Sequence, residues 1–77
     1  MSNTRPFIIH GEYIELIQLL KVLSYAESGG HAKALVEQGL VKLNGQIELR
    51  KRAKLRPGDQ VEYRGNLIQM QAESSKA

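Results

Sequence analysis

The sequence predicts an α+β domain in which two N-terminal helices pack on a small, mostly antiparallel sheet of short strands. Three observations carry this expectation. Apolar residues recur at helical spacing through the first half, the period shortens to alternation after Gly39, and Asn44-Gly45 stands between two alternating segments. A chain of 77 residues has apolar side chains for one core, so one domain is expected. It should span residues 7–71, between a flexible lead-in at 1–6 and a disordered tail at 72–77.

Phe7-Ile8-Ile9 reads as a short strand covering an edge of the core. From Glu12 onward, Leu16, Leu19, Leu20 and Leu23 follow helical spacing, while Tyr13, Ile14 and Ile17 widen the apolar surface. A largely buried first helix is therefore expected from Glu12 to Leu23, followed by a turn over Ser24 to Glu27. Ser24 with Glu27 matches a capping box, but that start would place Gly29-Gly30 inside the helix, at about 2 kcal/mol relative to alanine. Ser28 as N-cap is the less costly start. Ala32, Leu35 and Val36 then form the inward stripe, and Gly39 falls where a terminating glycine belongs. Val41 to Glu48 alternates around Asn44-Gly45 as a hairpin. Pro57-Gly58-Asp59 is a turn, and Gln60 to Arg64 with Leu67 to Met70 form a second hairpin around Gly65-Asn66.

Composition removes several function classes. With no cysteine there is no disulfide framework, thiolate zinc site or cysteine nucleophile. His10 and His31 lie far apart without a third patterned ligand, so no metal or other cofactor is expected. No residues show the spacing of a positioned acid–base pair, and no catalytic residue or small-molecule substrate is expected. The start lacks signal-peptide features and no apolar run reaches the roughly 20 residues of a membrane span, so a cytoplasmic monomer without membrane contact is expected.

Charge is the informative feature. The net charge is only +3, yet Arg50, Lys51, Arg52, Lys54 and Arg56 fall within seven residues that contain no acid. The rest of the chain is slightly acidic, so the basicity is local, as a polyanionic partner would require. If Leu55 points inward, alternation sends Lys54 and Arg56 to the opposite face, and Lys42 projects from the first hairpin between Val41 and Leu43. Gly29 and Gly30 open a helix whose unpaired amides favour an anion, with His31 and Lys33 adding donors and charge from its first turns. Phe7, Tyr13, Tyr25 and Tyr63 do not interleave with the basic run, so aromatic stacking on a ligand should contribute little.

The Leu-rich first helix, Ser28 with Ala32, Gly39-Leu40-Val41-Lys42-Leu43-Asn44-Gly45, the basic stretch and Pro57-Gly58-Asp59-Gln60-Val61 together resemble the αL RNA-binding motif. That motif defines the domain type named after the fourth protein of the small ribosomal subunit. The pattern covers roughly residues 12–64. Two positions depart from it. Gly29 stands where an Arg usually follows the helix-opening Ser, and Glu15-Leu16-Ile17 stands where the first helix usually reads Arg-Leu-Asp. E-Y-I-E-L, S-G-G-x-A-K and R-K-R-x-K-L resemble instead a small bacterial subgroup, the YbcJ-like proteins, in which the domain stands alone. The resemblance implies binding of structured RNA, ribosomal or transfer RNA, with low sequence specificity and no attached chemistry. By the same similarity the contacts fall to Lys33, Lys42, Arg50, Lys51, Arg52 and Lys54, with the backbone of Gly29 and Gly30. The rival reading is a protein-interaction module that docks an acidic or ribosome-associated protein, with Gln60 to Arg64 accepting a strand if it lies at an edge.

Overall fold

Two strands precede the helices. The computed structural model describes residues 3–73, ordered as β1 (Asn3–Ile9), β2 (Ile14–Glu15), α1 (Leu16–Val22), α2 (Gly29–Glu37), β3 (Val41–Leu43), β4 (Gln46–Ile47), β5 (Lys54–Leu55), β6 (Gln60–Tyr63) and β7 (Asn66–Ala72). The main sheet runs β1-β7-β6-β3-β4, and β2 pairs with β5 in a separate two-stranded ladder. Every pairing is antiparallel except β1 with β7. No helix among the described residues is long and apolar enough to cross a membrane.

The lead-in is corrected over residues 3–6. Asn3 to Pro6 belong to β1, whose register runs from Asn3 opposite Asn66 to Ile9 opposite Ala72. Local chemistry concealed this, because Asn-Thr-Arg-Pro reads as a turn-rich segment until a partner strand is present. Pro6 is compatible with the strand because β1 lies at the edge of the sheet, where a missing N–H need not interrupt a ladder. Ala72, expected in the tail, closes β7, and the next residue, Glu73, receives the His10 ring at 2.6 Å. The expectations for residues 1–2 and 74–77 fall outside the described residues.

The first helix begins at Leu16 rather than Glu12. Ile14 and Glu15 are extended and pair with Leu55 and Lys54. Glu15 occupies the N-cap without a side-chain capping bond. Carbonyls of the basic segment supply what is missing: Leu16 N–H donates to Ala53 O at 2.9 Å and Ile17 N–H to Lys51 O at 3.3 Å. Two of the amides left unpaired at a helix start are thus satisfied by backbone some 35 residues away in sequence. Helical spacing of Leu16, Leu19 and Leu20 holds within the shorter helix, and all three are fully buried.

The second helix starts at Ser28 as the glycine pattern predicts, with Ser28 Oγ accepting from His31 N–H at 3.1 Å. Gly39, at φ +76°, ends it by letting its own N–H reach Val36 O and Leu40 N–H reach Leu35 O, the six-residue closure that needs a left-handed residue. Helices and sheet enclose one core. Ile9, Val41, Val61, Tyr63, Ile68 and Met70 come from one sheet face, Leu16, Leu19, Leu20, Leu35 and Val36 from the helices, and Leu55 from the small ladder.

Two elements of the sequence pattern, Asn-Gly and Pro-Gly-Asp, prove to be one hydrogen-bonded unit. Asn44 and Gly45 both have positive φ, as a type I′ hairpin turn requires. Asn44 Nδ2 donates to Asp59 Oδ1 at 3.1 Å, Asn44 Oδ1 accepts from Gln60 N–H at 2.9 Å, and Asn44 N–H donates to Gln60 O. Asp59 Oδ2 in turn accepts from Arg56 N–H at 2.9 Å. The second hairpin turns one residue earlier than expected, at Arg64-Gly65, because Arg64 itself takes the left-handed conformation at φ 52°. Asn66 then begins β7 and donates its side-chain amide to Tyr63 O.

Asn44→Ala should lower unfolding stability by roughly 1–3 kcal/mol in a urea melt, since it removes two side-chain hydrogen bonds and leaves a β-carbon residue at positive φ. A loss below about 0.3 kcal/mol would mean that the two turns are held together by something else.

Candidate nucleic-acid interface

The β2–β5 ladder decides which residues share a surface. Ile14 opposes Leu55 with both turned toward the core, so the solvent face carries Tyr13 and Glu15 from one side and Lys54 and Arg56 from the other. Leu55 is fully buried, and Ala53 is nearly so. Around these anchors Arg50, Arg52, Ala53, Lys54 and Arg56 line an open depression that has no acid among its lining residues. Its floor is held in place by the same backbone bonds that cap α1, which makes the basic loop part of the fold rather than an appendage.

The five cations of the run are not equivalent. Arg50 Nε and Nη2 engage both oxygens of Glu48 at 2.9 and 3.3 Å, and its backbone N–H binds the same carboxylate. Lys51 Nζ reaches Glu37 Oε2 at 2.9 Å, and Arg52 Nε lies 3.4 Å from Glu15 Oε1. Lys54 and Arg56 have no carboxylate within ion-pair distance among the described residues. Instead their charged groups lie 5.0 and 6.0 Å from the centre of the Tyr13 ring, within cation–π range. The uncompensated charge therefore gathers at the Tyr13 end of the depression.

One aromatic residue does adjoin the basic run in space, although none interleaves with it in sequence. Tyr13 is separated from the basic run by some forty residues of sequence, and the β2–β5 register places it beside Arg56. Arg56 is likewise a lining residue, although the resemblance did not assign it a contact. A sequence signal existed for the pair only in retrospect: Tyr13-Ile14-Glu15 and Lys54-Leu55-Arg56 are both short alternating segments, too short to identify as strands alone.

The other residues singled out from sequence lie elsewhere. Gly29 and Gly30 open α2, about 12 Å along its axis from Glu37, the residue that Lys51 reaches. They do not relieve crowding: a β-carbon at Gly29 would meet nothing within 4 Å, and one at Gly30 would meet only Ser28 Oγ at 3.9 Å. His31 spends its Nδ1 inside the chain, accepting from Glu27 N–H at 3.1 Å, so only its second ring nitrogen is left to face outward. Lys33 is exposed on α2. Lys42 is exposed on β3 beside Glu62 and Ile47, on the sheet face turned away from the helices, and the structure does not bring it to the depression. Strand β6, considered as a free edge, lies between β3 and β7 and offers none.

Once these elements are assembled, the comparison with known proteins is direct. Residues 7–71 match the family model of the S4 domain, and the chain belongs to that family. YbcJ of Escherichia coli (strain K12) is 40% identical over 60 residues, which cover 78% of this chain and 86% of YbcJ, and the YbcJ of Shigella flexneri matches equally. The solution structure of E. coli YbcJ, reported to reveal an αL motif involved in RNA-binding, superposes with a TM-score of 0.65 at 39% identity, covering 94% of this chain and 92% of that one.

Two measurements check this description. The bidentate Arg50 contact holds the Glu48 carboxyl below its ordinary value of 4.5, with a smaller opposing effect from burial. A folded-state value below the unfolded one contributes stability that is full above about pH 4.5 and fades as pH falls through the depressed value. A carboxyl-carbon NMR titration should therefore give Glu48 a midpoint below 4.5 that rises in Arg50→Ala; an unmoved midpoint would exclude the pairing in solution. Gly30→Ala, with room for its methyl group, should raise stability by roughly 0.5–1 kcal/mol in a thermal melt. Destabilisation would show that the open space at the helix start is not there.

Proposed function

We propose that this chain binds structured RNA, ribosomal or transfer RNA, with low sequence specificity and without chemistry of its own. Membership of the S4 domain family and the likeness to YbcJ, whose αL motif is involved in RNA-binding, support the reading. The observation that carries it is the open depression lined by Arg50, Arg52, Lys54 and Arg56 with no acid on its walls. Guanidinium groups match phosphate oxygens two bonds at a time and remain charged at any physiological pH. A phosphodiester backbone laid along the depression exchanges the Glu15, Glu37 and Glu48 carboxylates for phosphates, so Arg50, Lys51 and Arg52 change partners rather than lose solvation. The α2 N-terminus, with the Gly29 and Gly30 amides, the His31 ring and Lys33, takes a second phosphate farther along the same strand or groove. Lys42, on the other sheet face, adds general attraction.

Mobility-shift assays with ribosomal and transfer RNA fragments test the proposal. Arg50→Ala/Arg52→Ala should weaken binding at least about tenfold and flatten the salt dependence by roughly 0.7–0.9 per lost phosphate contact. Equal affinity of the double variant and the parent chain would remove the depression as the binding surface.

A further inference from the structure

Tyr13 borders two different surfaces. On one side its ring carries Lys54 and Arg56, the two cations of the basic run without a carboxylate partner among the described residues. On the other it forms a wall of a mostly apolar groove of about 460 Å³ between β1 and α1, lined also by Phe7, Ile8, Ile14 and Val22, with His10 and Gln18 its polar lining residues and His10 bonded to Glu73. Ile8 and Val22 remain substantially exposed, at 39% and 54%, and no described part of the chain covers the groove. It falls in the size range of small-ligand sites and has their usual composition, apolar walls with few polar groups.

We propose that this groove receives a single unpaired nucleobase of the bound RNA, whose flanking phosphate is held by Lys54 and Arg56. The inference rests on the RNA-binding reading given above. The occupant should present an anion and an apolar face within a few bonds of each other, because the unpaired cations and the apolar groove meet at one side chain. A nucleotide flipped out of a helix meets that requirement, and bases extruded from bulges and loops are the part of RNA that side chains reach most readily. The Tyr13 ring would form one wall against the base. Gln18, with both a donor and an acceptor at its tip, is placed to meet a base edge. A duplex without an unpaired residue can use the basic depression but leaves the groove empty. The site therefore makes the chain a reader of bulged or looped RNA rather than of continuous helix.

The test compares two RNA hairpins identical except at one position, a single-adenosine bulge in one and an abasic residue in the other, so that charge is constant. The parent chain should bind the adenosine bulge about tenfold more tightly, the size of effect that one stacked base provides. Ile8→Gln and Val22→Gln, charge-neutral changes at exposed positions and each checked for folding by amide NMR spectra, should sharply reduce that difference while leaving the abasic hairpin bound as before. Lys54→Ala/Arg56→Ala should weaken binding to both. Equal affinity of the parent chain for the two hairpins overturns the nucleobase site while RNA binding itself stands. The same holds if both glutamine variants retain the full difference, as they would were the groove a docking edge for protein. Failure of the parent chain to bind either hairpin would instead refute the function proposed above.

Discussion

The short ladder between Ile14-Glu15 and Lys54-Leu55 is the contact on which the rest of this structure depends. It joins the segment entering the first helix to the segment carrying most of the positive charge. Its continuation, Leu16 N–H to Ala53 O and Ile17 N–H to Lys51 O, replaces the side-chain cap that Glu15 does not provide. One set of backbone bonds thus starts α1, buries Leu55 and fixes the direction of Lys54 and Arg56. A basic loop is ordinarily a mobile object, and ordering it at the moment of binding costs entropy. Here that cost is met in folding, by bonds the helix needs in any case.

The second organising unit is the bridge between the Asn44-Gly45 and Pro57-Gly58-Asp59 turns. It ties the tip of the β3–β4 hairpin to the turn that enters β6, so the basic loop that leaves the sheet after β4 returns to it within hydrogen-bond reach of Asn44. Asp59 also binds Arg56 N–H, which sets where the last basic residue leaves the turn. The family pattern therefore has a mechanical reading. Asn44, Gly45 and Asp59 supply the left-handed backbone and the side-chain bonds to the neighbouring turn that those places require.

Within the loop, charge is graded. Glu48, Glu37 and Glu15 engage Arg50, Lys51 and Arg52; the Lys51–Glu37 pair, exposed on both sides, contributes little to stability, whereas the Glu48 side chain is only 15% exposed. Their effect is on availability: on the proposed function, a phosphate would displace a carboxylate to use those three residues but nothing to use Lys54 or Arg56. That reading puts first contact at the Tyr13 end, where positive charge and apolar surface adjoin.

Much of this was legible before any coordinates. Ser28 as a cap, Gly39 as a terminator, the Asn44-Gly45 hairpin, the inward Leu55 and the concentration of charge at residues 50–56 all follow from local rules, because each is decided by conformational preferences within a few residues. What the sequence could not determine were the pairings whose partners are distant: β1 beside β7, β2 beside β5, and the choice of carboxylate for each basic residue. A segment such as Asn3 to Pro6 has weak strand preference, and Ile14-Glu15 fits a helix as well as a strand, until a neighbour's free N–H and C=O groups select one conformation. So the sequence by itself determined that positive charge is concentrated at residues 50–56 and that Leu55 turns inward among it. Only the tertiary structure decided that its free charges meet at Tyr13, because that meeting depends on the register of two strands far apart in the chain.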